Sequence, residues 1–316
     1  MTGQAAENIA IPRKRKTLGK RMWDHRFVYL LMLPGIASVI LFHYVPIYGI
    51  QLAFKNYRFN LGIWGSPWNG LDNFRLMFMN PQFSRAFWNT LIISFGRLVT
   101  GFPVPIILVL LFNELRNAKF KKVTQTILYL PHFLSWIVIA GLIYNLFNIN
   151  TGLYGNLYRS ITGSTPPSIL VNASLFRAQL YISSIWKGAG WGMIIYLAAI
   201  AGIDPGLYES AQLDGANRFQ QAVYITIPML AFAISFNLIL SLGSVMDAGF
   251  DQIFNLYSAP VFSTGDVIDT FVYRFGITQG RFDIGAAVGL FKSVINCALL
   301  ITANRLSAKL SGYALF

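Results

Sequence analysis

Six apolar stretches recur along the 316-residue chain, near residues 27–54, 86–113, 123–147, 179–202, 224–248 and 284–304. The polar segments between them alternate between long and short. About 20 mostly apolar residues in a helix cross a bilayer. A helix also satisfies its own backbone groups, as lipid requires. The pattern therefore predicts an all-α, polytopic membrane protein with six transmembrane helices. A basic N-terminal segment, residues 1–26, precedes a single transmembrane domain, 27–316. Pro34 and Pro46 in the first stretch, and Pro103 and Pro105 in the second, predict kinked helices packed around a cavity.

Composition agrees with a bilayer as solvent. Hydrophobic residues make up 55% of the chain and charged residues only 12%, against roughly 25% charged in soluble domains. A formal net charge of +13 would suit a nucleic-acid partner, but the basic residues sit at the ends of apolar runs. Residues 1–26, 114–122, 203–223 and 305–316 hold 14 Lys and Arg in 68 positions, whereas the other side holds 8 in 97. The positive-inside rule places the first set, with both termini, in the cytoplasm. The run Arg13-Lys14-Arg15-Lys16 and the pair Lys121-Lys122 dominate this orientation. The first apolar run is too long for a signal-peptide core, and no small-residue cleavage site follows it.

Little else in the chain offers chemistry. Cys297 is the one cysteine and lies in an apolar run, which suits packing. His25, His43 and His132 show no metal-ligand spacing, so no metal site is expected. The Lys-Ser/Thr pairs, Lys16-Thr17 and Lys292-Ser293, do not follow a glycine, so there is no phosphate loop. No catalytic constellation is visible, and the chain is not expected to be an enzyme. The outer loops run to around thirty residues. The first carries Trp64, Trp68 and Phe74, and the third carries Asp251, Asp266 and Asp269. Loops of that length often contact a partner.

The most informative segment is the cytoplasmic loop 203–228. Asp204 is a good helix cap with Pro205 in the first turn. Gly215 permits a sharp break, after which a second helix is expected from Ala216 until Pro228 disturbs it. Glu209-Ser210-Ala211, three residues, Gly215 and a later Ile227-Pro228 complete the pattern. This loop resembles the hallmark of the transmembrane subunits of binding-protein-dependent ABC importers, which reads Glu-Ala-Ala, three residues, Gly, then an apolar residue with Leu-Pro. The chain departs from it at Ser210 and Ile227. Asp214-Gly215-Ala216, Pro46-Ile47-Tyr48-Gly49, Gly70-Leu71-Asp72-Asn73-Phe74 and Asn89-Thr90 are similar to the sugar-importing branch.

The resemblance implies a type I importer permease in the bacterial inner membrane, carrying a sugar and most naturally an oligosaccharide. Loop 203–228 would be a coupling helix between spans four and five, docked in a cleft of the ATPase. Glu209 would pair with a basic residue there, Ala211 and Ala216 would allow close approach, and Gly215 would form the turn, with Asp214 and Pro228 completing the motif. It implies a second, similar but different permease chain, two ATP-binding subunits and an extracytoplasmic solute-binding protein. ATP and Mg would sit on the ATPase subunits, with no cofactor on this chain. The alternatives are a secondary transporter, which would call for internal repeats and an intramembrane acid, and a membrane-embedded enzyme of carbohydrate metabolism.

Three basic residues fall inside the apolar stretches. Arg97, Lys187 and Lys292 lie at similar depth, roughly 12–17 Å from the outer boundary at ~1.5 Å per residue. Intramembrane charges are costly and usually face a cavity. One reading is an aqueous path that attracts anions and would suit an acidic, uronate-containing oligosaccharide. The other is snorkelling, or pairing with Asp247 or a partner subunit. Tyr144, Trp186 and Trp191 are candidates for stacking on sugar rings along such a path, or else for packing.

Overall fold

The computed structural model describes residue 19 and residues 23–311; the basic run 13–16 lies outside the described residues. Among these, the chain is all-helical, with one isolated bridge between Lys55 and Trp68 and no strand. Packing divides the chain into two compact units, Met1–Ile50 and Gln51–Phe316.

Four helices are long and apolar enough to cross a membrane: Arg26–Phe54, Pro81–Asn113, Ala173–Ala201 and Phe282–Lys309. Two bent pairs raise the number to as many as six if each pair is one span. The pair Ala118–Phe133 and Trp136–Phe147 turns by 100°, and the pair Arg218–Met229 and Ala231–Gly243 by 61°. The stretches 123–147 and 224–248, each expected as one span, are therefore broken, the second close to Pro228, where a disturbance was expected. Pro131 and the Ser135 cap, whose hydroxyl accepts from the Val138 N–H, restart the first pair. In the second, Pro228 lacks an N–H and follows a widened π turn over Ala222–Thr226.

Caps rather than hydropathy fix where the helices begin. Asn80 accepts from the Gln82 N–H with Pro81 at the first position, so the second helix starts five residues before the expected 86. Asn172 accepts from the Ser174 N–H and starts the Ala173 helix ahead of the expected 179. In the second unit, helix Ala231–Gly243 packs along the C-terminal helix, and Ala173–Ala201 packs against both halves of Pro81–Asn113.

The core lies in three patches. One is aromatic and joins Phe83, Phe271 and Phe291 near the start of the second helix. A second surrounds Phe176, Leu180 and Ile253, and the third Phe112, Met193 and Leu230. Motifs singled out in the sequence stitch the outer segments to this core. The Asn73 amide donates to the carbonyls of Ala53 (3.1 Å) and Lys55 (2.9 Å). The Asn89 amide donates to the Asp266 carbonyl (3.0 Å), and the Thr90 hydroxyl accepts from the Ile268 N–H (2.9 Å). Each satisfies buried backbone groups that would otherwise be costly.

Candidate functional site

Loop 203–228 forms a helix over Pro205–Leu213. The Gly206 N–H donates to the Asp204 carboxylate at 2.9 Å, which is the expected cap. Gly215 has φ +81°, a left-handed conformation that side chains rarely adopt. The Ala216 N–H donates back to the Ala211 carbonyl at 2.8 Å and closes the turn. The next helix starts at Arg218, not at Ala216, because Asn217 and Gln220 form a reciprocal capping box. It then continues through Pro228 into the bundle.

Glu209 and Asp214 are exposed, and Ala211 and Ala216 half-buried. The turn presents two apolar side chains that sequence reasoning missed, Leu213 at 90% and Phe219 at 77% exposure. The knob is tied to the bundle by an exposed ion pair, Arg218 to Glu114 at 3.3 Å, and by a Tyr208–Thr226 hydroxyl contact at 3.0 Å. The loop thus presents exposed acidic and apolar groups on a short, capped helix.

The three intramembrane bases are held in three different ways. Lys292 contacts two carboxylates, Asp247 at 2.5 Å and Asp269 at 2.6 Å. The sequence placed no acid at matching depth, yet the fold returns Asp269 from the segment 249–283 to this site. Lys187 donates to the carbonyls of His132 (2.7 Å) and Leu134 at the 100° bend. Its ammonium thus caps the C-terminal carbonyls of a broken helix, where a cation is favoured. Arg97 donates to Gln252, which is fully buried and donates in turn to the Leu180 carbonyl and the Ser183 hydroxyl, both at 2.8 Å. Gly249, at φ +82°, makes room for it: a Cβ there would fall 2.2 Å from the guanidinium.

Of the aromatic candidates, Trp191 meets a base, since it and Lys187 both contact His132, whereas Tyr144 and Trp186 contact other groups. The Tyr144 hydroxyl donates to the Leu256 carbonyl at 3.1 Å, and Trp191 stacks on His132 at 4.3 Å. Trp186 lines a separate, apolar cavity of about 490 Å³ between helices Trp136–Phe147 and Ala173–Ala201. Only Arg97 and Asp247 line one common polar cavity, of about 210 Å³, with Ser94, Ser241 and Ser244. The signal for these serines was a polar stripe at helical spacing in apolar runs, Ser94 with Arg97 and Asn237 with Ser241 and Ser244. Outside the spans, Asp266 is buried and pairs with Arg274 at 2.7 Å, and that hydrogen bond raises the guanidinium pKa above its ordinary value.

Residues 101–309 match the family described as binding-protein-dependent transport system inner membrane component. Over 97% of this chain and 99% of the relative, the sequence is 42% identical to protein LplB of Bacillus subtilis (strain 168). It is 41% identical to the polygalacturonan/rhamnogalacturonan transport system permease protein YteP of the same organism, over 94% of this chain and 92% of the relative. Among solved structures, it is similar to a chain of a bacterial ABC transporter involved in the import of the acidic polysaccharide alginate. The TM-score is 0.85 and the identity 38%, covering 94% of this chain and 100% of that one. A bacterial alginate ABC transporter in complex with alginate pentasaccharide-bound periplasmic protein gives a TM-score of 0.86 at 37% identity, over 95% and 100%.

Proposed function

The chain belongs to the family of binding-protein-dependent transport system inner membrane components, and from that premise we propose that it forms part of the membrane path for an acidic oligosaccharide. The observation that carries this reading is the match, over 95% of the chain, to a transporter in complex with a periplasmic protein bound to an alginate pentasaccharide. A permease at 41% identity that is named for polygalacturonan and rhamnogalacturonan points to the same substrate class, a chain of uronates.

The full assembly pairs this chain with a second, similar but different permease, two ATP-binding subunits and a solute-binding protein. ATP and Mg act on the ATPase subunits, and this chain has no catalytic role. Six spans, counting each bent pair as one, put both termini in the cytoplasm. Loop 203–228 is then the coupling helix: Glu209 and Asp214 offer charge and Leu213 and Phe219 apolar contact to the ATPase cleft, while Ala211, Gly215 and Ala216 let the turn approach closely. ATP-driven closure of the ATPases pulls on this knob and moves the broken helix that begins at Arg218. Within the bundle, Lys187, Lys292, Tyr144 and Trp191 hold the helices in register, and Arg97 and Asp247 face the solute.

The test is import by the complete complex in proteoliposomes, with the loaded binding protein on the outer face. Uptake of galacturonate oligomers driven by ATP is expected. ATP-driven uptake of neutral oligosaccharides alone would overturn the acidic assignment.

A further inference from the structure

Three buried side-chain atoms lack a hydrogen-bond partner among the described residues: Asn69 Oδ1, Ser94 Oγ and Arg97 Nε. Two of them belong to side chains that line a single cavity, the one of about 210 Å³ bounded also by Ser241, Ser244 and Asp247. Buried polar groups are nearly always paired, and an orphan calls for an explanation. Lys292 meets two carboxylates and Lys187 a cluster of carbonyls, but Arg97 has no ion pair among the described residues. A cation without a direct ion pair is costly at membrane depth, and Asp247, the carboxylate that shares its cavity, is already engaged by Lys292.

The cavity has a donor half and an acceptor half. Arg97 brings a charged guanidinium and Ser94 a hydroxyl that both donates and accepts, and Leu98, Phe102 and Val245 complete the wall. Gln252, anchored on both sides, fixes the guanidinium before any ligand arrives, which lowers the ordering cost of binding. Across the cavity, Ser241 spends its proton on the Asn237 carbonyl (2.8 Å) and Ser244 on that of Leu240 (3.2 Å). Their oxygens are left to accept, as is the Asp247 oxygen that is not spent on Lys292. The space equals roughly seven water molecules at ~30 Å³ each, room for one pyranose ring.

We propose that this cavity is a subsite for one uronate unit, in which Arg97 and Ser94 read the carboxylate while Ser241, Ser244 and Asp247 read the ring hydroxyls. The inference rests on the reading of the chain as the path for an acidic oligosaccharide. A simple inorganic anion would use only the donor half; a sugar acid uses both.

The experiment measures import of tetragalacturonate and of its carboxyl-reduced, neutral counterpart by the complete importer. Variants are Ser94→Ala, Arg97→Gln and Arg97→Lys. The same binding protein serves every variant, so its own selectivity cancels when each acidic-to-neutral ratio is divided by that of the wild type. Loss of one hydrogen bond to a charged group is worth roughly tenfold, so Ser94→Ala and Arg97→Gln are expected to lower the ratio by about that factor. Arg97→Lys, which keeps the charge, restores part of it. Ser94→Ala breaks no bond among the described residues, so it guards against a result caused by misfolding. An acidic tetramer carried by the wild type, with ratios unaltered in Ser94→Ala and Arg97→Gln, overturns the subsite alone. A wild type that carries only the neutral tetramer overturns the subsite together with the acidic reading of the path.

Discussion

The Lys292 ammonium lies 2.6 Å from the Asp269 carboxylate, bridging the helix Phe282–Ser311 and the short helix Ile268–Phe271. Asp247, at the end of helix Ala231–Gly243, takes the other side of the same ammonium at 2.5 Å. Three segments are thus pinned by one charged side chain.

Lys292→Met is therefore expected to destabilise the purified complex by about 2 kcal/mol. That is below the range for a fully buried pair, because Asp247 is half exposed to solvent. Combining it with Asp247→Asn and Asp269→Asn removes the stranded negative charges and restores part of the loss. Thermal unfolding of the complex followed by tryptophan fluorescence measures both; a triple variant less stable than Lys292→Met would contradict the charge account.

Lys187→Met leaves the carbonyls at the 100° bend without their cation. Each buried carbonyl left unpaired costs about 1–3 kcal/mol, so the helix pair loses its fixed angle. Expected outcomes are a lower unfolding temperature and faster hydrogen exchange over residues 130–136, read by mass spectrometry. Exchange equal to the wild type would show that the bend is held by the Trp191–His132 stack instead.

Gly215→Val forces a β-branched residue into a left-handed turn, at about 1–3 kcal/mol. Nothing lies within 4 Å of the added Cβ, so the cost is conformational and local to the knob. ATP hydrolysis stimulated by the loaded binding protein is expected to drop while membrane insertion persists. A variant complex with full subunit content and wild-type import would show that the turn is not the coupling element.

Orientation is checked by cysteine labelling. With Cys297 replaced by Ser, a cysteine at Lys119 is expected to be shielded from a membrane-impermeant thiol reagent in intact cells whose outer barrier has been opened. One at Thr165 is expected to react. The opposite pattern would invert the assigned sidedness.

What the sequence alone determined follows from short-range physics. Apolar runs long enough for a bilayer, basic residues at their ends, the Asp204–Pro205 cap and the Gly215 turn depend on neighbours within a few positions, and the residues themselves carry that information. Helix starts were legible too, had Asn80 and Asn172 been read as caps. The fates of Arg97, Lys187 and Lys292 were not. Their partners lie 155, 55 and 23 residues away at Gln252, the His132 carbonyl and Asp269. Those contacts exist only because two helices break and an outer segment folds back onto the bundle, and a periodic pattern records neither the angle of a break nor what fills it. Three equal charges along a hydropathy trace thus became a clamp, a cap and a guanidinium held by a buried amide. The difference is made by packing, which alone decides which polar group meets which at membrane depth.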